Sequence, residues 1–99
     1  MTIDKPATKD KWIWVIIIAP GEGEQILGQE DAKTKEAYIP FFPDKDQANQ
    51  CYHLLAKEAR KKYEVSAMLY EELVDHARTS GFVLYRLDGN GTVEEKVLP

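Results

Sequence analysis

The chain has 99 residues, 43% hydrophobic and 30% charged, the composition of one small globular domain with room for a single core. Its 13 basic and 17 acidic residues give a net charge of -4, so it lacks the positive excess that a nucleic-acid binder uses to displace phosphate counterions. No apolar run approaches the roughly 18 residues of a membrane span, and the lone Cys51 excludes an internal disulfide and fits a reducing, cytoplasmic setting.

Residues 1–11, MTIDKPATKDK, carry acid and have no apolar h-region. They are expected to form a flexible polar tail rather than a secretory signal, with residues 12–99 making a single domain. Trp12 to Ala19 is an unbroken β-branched and aromatic run, predicted as a central strand covered on both faces and stopped by Pro20-Gly21. A shorter strand is expected near Gln25 to Gln29, then a polar loop at EDAKTKE. AYIPFF, residues 37–42, returns as a strand. Pro40 donates no ladder hydrogen bond, which predicts an edge position or a shortened strand.

Asp44 followed by Gln47 has the spacing of a capping box. Ala48, Cys51, Tyr52, Leu55 and Ala59 then repeat on one helical face, which predicts a helix over residues 45–62, about 27 Å long. The basic run KEARKK, residues 57–62, reads as the dipole-matched end of that helix rather than as a nucleic-acid patch. YEVSAML, residues 63–69, is the next strand. A second helix over residues 70–79 has Glu71 and Glu72 in its first turn, His76 and Arg78 in its last, and Gly81 just beyond. FVLYRL and TVEEKVL flank Asp-Gly-Asn-Gly, a strong hairpin signal. The order β-β-β-α-β-α-β-β predicts an α+β fold: a two-layer sandwich of five to six strands in a mixed sheet, with two helices mostly on one face.

The chemistry offered by local motifs is sparse. Gly21-Glu22-Gly23 follows an apolar strand, yet position 26 is Ile26 where a dinucleotide fingerprint needs glycine, no helical period follows, and Glu22 and Glu24 would repel a phosphate. Cys51 and His53 point roughly 200° apart on a helix and cannot share a metal. Glu72 and His76 share a face, but two ligands are too few for a metal site. Ser66 and Ser80 have no base motif beside them. No catalytic residue, metal or cofactor is therefore expected.

The aromatic residues suggest a binding role instead. Trp12 stands at a strand start and is expected to be partly exposed. Tyr38 and Phe41 lie in the segment predicted as an edge, and aromatic side chains anchor interfaces at low entropic cost. The expected function is a non-enzymatic interaction or regulatory module that binds a protein partner or itself through Trp12, Tyr38 and Phe41, with no nucleic acid or membrane involved. The alternative is a small enzyme or metabolite-binding domain using Glu72 and His76.

Across GEQILG…AYIPFFPDKDQANQCYHLLAKEA…YEVSAMLYEELVDHARTSGF the chain resembles a family of small uncharacterised domains from cyanobacteria and plastids. The shared features are Phe42-Pro43-Asp44, Asp46, Ala48, Leu55, Glu71-Glu72 and Gly81. The entry into the first helix is also similar to the N-terminal domain of SseB-like proteins. The pattern departs at Leu69, where the family tends to place a polar helix cap. The resemblance implies an α/β fold and carries no established activity.

Overall fold

Seven strands and two helices, in the order β-β-β-β-α-β-α-β-β, make up a computed structural model that describes residues 12–18 and 23–99. The expected polar tail, residues 1–11, and residues 19–22 of the glycine turn lie outside the described residues. The strands are β1 (Trp12–Ile18), β2 (Gln25–Ile26), β3 (Gln29–Glu30), β4 (Ala37–Phe41), β5 (Tyr63–Leu69), β6 (Val83–Leu87) and β7 (Val93–Val97). The helices are α1 (Lys45–Tyr52) and α2 (Tyr70–Ser80).

β1 pairs antiparallel with β5 along its whole length, from Trp12 opposite Leu69 to Ile18 opposite Tyr63. Its other edge meets β2 at Ile17 and Ile18, giving a three-stranded antiparallel sheet in the order β2-β1-β5. The second sheet, β3-β4-β6-β7, is mixed: β4 and β6 run parallel, while β3 and β7 are antiparallel to their neighbours. The sheets meet where Trp14 N–H donates to the Phe42 carbonyl at 3.0 Å and Phe42 N–H donates to the Trp14 carbonyl at 2.9 Å. The fold is α+β, as the element order predicts, with the strand expected near residues 25–29 split into two short pieces. β2 serves the first sheet and β3 the second.

The long strand β1 is covered on both faces. Ile13 and Val15 join Ile39, Phe41, Leu84 and the α2 residues Tyr70, Leu73 and Ala77 in one core cluster. Ile16 joins Leu27, Phe42, Tyr85, Leu87 and the α1 residues Ala48 and Cys51 in another. The two helices therefore pack against opposite faces, which corrects the expectation of two layers with both helices on one side. The physical reason lies in β1 itself. A strand apolar at every position must bury both faces, and a single helical layer covers only one.

α1 begins as its cap predicts. Asp44 Oδ1 accepts the Gln47 N–H at 2.8 Å, and the Gln47 side-chain amide reaches Asp44 Oδ2 at 2.9 Å. It ends at Tyr52, eight residues on, rather than at residue 62. Continuation would give the Tyr52 carbonyl to the Ala56 N–H. Instead Ala56 N–H donates to Gln29 Oε1 at 3.1 Å, Gln29 Nε2 donates to the Ala56 carbonyl at 2.9 Å, and the Lys57 ammonium takes the Tyr52 carbonyl. Tertiary hydrogen bonds override a favourable helical composition here, and the basic run leaves the helix for a loop.

α2 follows β5 with no intervening loop, and its N-cap Leu69 makes no side-chain capping bond. Its far end closes as predicted on Gly81 at φ 81°, the left-handed conformation in which glycine bears no Cβ penalty. The Asp-Gly-Asn-Gly turn also forms as predicted. Asp88 Oδ1 accepts from Asn90 N–H at 2.8 Å and Thr92 N–H at 2.9 Å, with Gly91 at φ 83°.

Replacing Asp44 with Ala is expected to lower stability by about 1 kcal/mol at neutral pH, measured by urea unfolding. The bonds from Gln47 hold the Asp44 carboxyl below its usual range. Its contribution is thus present above that range and lost as pH falls through the lowered value, so the deficit should shrink in acid.

Candidate functional site

Strand β5 is the outermost strand of its sheet, and the direction of its free groups follows from β1. Trp14 bonds to Phe42, and Ile16 accepts from Leu27 at 2.8 Å, so the even-numbered residues of β1 turn their backbone groups away from β5. Ile13, Val15 and Ile17 then bond to Met68, Ser66 and Glu64 opposite them. By alternation, Tyr63, Val65, Ala67 and Leu69 point N–H and C=O outward. Among the described residues, no backbone group bonds to them on that side.

The composition of this edge is permissive for pairing. YEVSAML holds no proline or glycine and a single charge, Glu64. β7, an outer strand of the second sheet, reads VEEKV, with Glu94, Glu95 and Lys96 consecutive. Charged side chains of that kind discourage edge-to-edge pairing, and β5 nearly lacks them. An open groove of about 350 Å³ lies over the face of this three-stranded sheet, with Ile17, Ile26 and Met68 among its lining and Glu24, Gln25, Glu64 and Ser66 as its polar part.

The residues expected to bind from sequence fall in three different settings. Trp12 is 58% exposed, directly opposite Leu69 at the end of β5. Tyr38 is half-buried, its ring stacked on Tyr85 at 4.1 Å between centroids, and burial pushes its hydroxyl pKa up. Phe41 is 1% exposed and packs against Tyr70, which withdraws it from any docking surface. Nor is β4 an edge. It has β6 on one side and, on the other, β3 followed by the Trp14 bridge. Pro40 is buried where that second side passes from β3 to β1. By the alternation that turns Phe42 toward Trp14, its nitrogen faces this seam, where a missing donor interrupts no ladder.

Glu72 and His76 are both exposed on α2, and no bond joins them. Cys51 is fully buried, and burial pushes its thiol pKa up, away from reactive thiolate. The described residues contain no group of three or more His, Cys, Asp or Glu disposed to hold a metal, and no helix long and apolar enough to cross a membrane. Where a phosphate loop would lead into a helix, the chain instead makes β2, antiparallel to β1.

One polar cluster escapes sequence reasoning altogether. The Tyr85 hydroxyl lies 3.2 Å from both Asp31 Oδ2 and Glu36 Oε1, and Lys96 Nζ lies 2.8 Å from Glu36 Oε1. Burial and the two carboxylates push the Tyr85 pKa up to about 12. Asp31 is held low by the backbone N–H groups of Thr34 and Lys33, and Glu36 by its bond from Lys96. A tyrosine this weakly acidic is no general base near neutrality. Its proton instead ties the loop before β4 to β6, while Lys96 ties it to β7. These partners are scattered over 65 positions of sequence, so no spacing rule could have gathered them.

Comparison with protein-family models, curated proteins and solved structures gives no match for this chain.

Because the bond from Lys96 is the largest influence on Glu36, Lys96→Ala should raise the Glu36 pKa more than Tyr85→Phe does. Tyr85→Phe should raise those of both Asp31 and Glu36, read by carboxyl NMR titration. The stabilisation from these depressed carboxyls is present above the ordinary carboxylate range and lost as pH falls through their folded values. Both variants should therefore unfold at higher pH in an acid titration.

Proposed function

We propose that this chain is a non-enzymatic interaction module that accepts an extended segment along the outer edge of β5. The reading keeps the protein-binding role expected from sequence and moves it from Tyr38–Phe42 to Tyr63–Leu69. The observation that carries it is a seven-residue strand with one edge fully paired and four outward-facing residues on the other that have no backbone partner, the Ala67 carbonyl being met only by the Ser66 hydroxyl at 3.5 Å. Strand addition uses those groups for affinity and side-chain neighbours for specificity. The exposed Trp12 indole, opposite Leu69, and the groove over the face of the same sheet supply apolar surface near the strand. The likeness to small cyanobacterial and plastid domains belongs to this reading only as a fold expectation. A cytoplasmic setting, with Cys51 kept as a buried thiol, accompanies it.

The test is selection from a displayed library of random peptides on the immobilised protein. Peptides of strand-forming composition should be enriched on the wild type and lost on Ala67→Pro. That substitution removes an outward N–H without touching the ladder to β1, so the variant should fold, as circular dichroism would show. No enrichment, or equal enrichment on folded Ala67→Pro, would sink the reading.

A further inference from the structure

Resting on that reading, we infer that the segment added to β5 is β5 of a second copy, paired antiparallel about a two-fold axis through Ser66. The first argument is charge. Immediately before β5 stand Arg60, Lys61 and Lys62, and immediately after it stand Glu71, Glu72 and Asp75, all exposed. Lys61 and Asp75 already have local partners in Glu58 and Arg78, leaving Arg60 and Lys62 at one end and Glu71 and Glu72 at the other outside any ion pair among the described residues. Antiparallel pairing brings the basic end of each strand to the acidic end of the other. Parallel pairing sets like charges together, which is unfavourable.

The second argument is register. The outward groups belong to Tyr63, Val65, Ala67 and Leu69, so only registers that match odd residues with odd ones form hydrogen bonds. Centring on Ser66 pairs the whole strand: Tyr63 with Leu69, Glu64 with Met68, and Val65 with Ala67 of the second copy. No residue then faces a like charge. Centring on Glu64 would set two carboxylates face to face. The result is one continuous six-stranded sheet, β2-β1-β5 followed by its symmetry mate, with an isologous interface.

The axis makes a sharp geometric demand. Ser66 turns its backbone toward β1, so the two Ser66 residues would face each other as a non-hydrogen-bonded pair, about 4.5 Å apart at Cα. That lies within disulfide range. A Ser66→Cys variant treated with oxidised glutathione should form a covalent dimer, and Glu64→Cys should not. In sedimentation equilibrium at about 100 µM, the wild type should weigh twice its 11.3 kDa chain mass, and folded Ala67→Pro should weigh it once. Glu71→Lys with Glu72→Lys should weaken the dimer about tenfold at low salt, and adding Arg60→Glu with Lys62→Glu should restore it.

A wild type that stays monomeric, a folded Ala67→Pro that stays dimeric, or a dimer that Ser66→Cys cannot cross-link would each overturn the inference. If the wild type is monomeric while displayed peptides still bind it and not Ala67→Pro, the strand-addition reading survives and only the partner is wrong. Failure of both experiments removes both.

Discussion

Trp14 and Phe42 exchange two backbone hydrogen bonds, and the arrangement of both sheets follows from that short seam. It fixes which residues of β1 look toward the second sheet and which look toward β5. It also divides the inner edge of β1 between two neighbours, the β2 hairpin at one end and the β4 exit at the other. Two small sheets thereby share a core cluster on each face without forming a regular ladder along their whole length. Pro40 fits this division, because a residue with no N–H can be buried in a sheet where the pairing changes hands.

The same seam decides how the helices serve the core. β1 is apolar on both sides, so α1 and α2 each take one face, with Cys51 and Ala48 in the same core cluster as Ile16 on one side and Leu73 and Ala77 in that of Val15 on the other. Because both helices lie over the faces and none over the rim, the outer edge of β5 is left uncovered among the described residues. Its openness follows from where the two helices among the described residues are placed.

Much of this was legible in the amino-acid sequence where the signal is local. Asp44 with Gln47, Gly81 after a charge-ordered helix, and Asp-Gly-Asn-Gly between two β-type runs each specify their own surroundings. The failures lie where a distant group decides. Nothing near KEARKK says that the Gln29 amide will claim Ala56 and unwind the helix at Tyr52. Nothing in AYIPFF says that Phe42 will pair with Trp14, so Phe41 read as an edge aromatic when it is a core one. The open strand was visible as a strand, but its openness depends on the order of strands in the sheet, which no local pattern encodes. The Tyr85 cluster was invisible for the same reason.

The unlike character of the two rims has a consequence for the size of any assembly. A sheet with adhesive strands at both ends would add copies without limit and grow into filaments. Here β7 is armoured with consecutive charges, including Glu94 in contact with Arg86 and Lys96 in contact with Glu36. Under the pairing proposed above, growth through these two rims would stop after one union: β5 is consumed in the pairing, and β7, left facing water, is the repellent one.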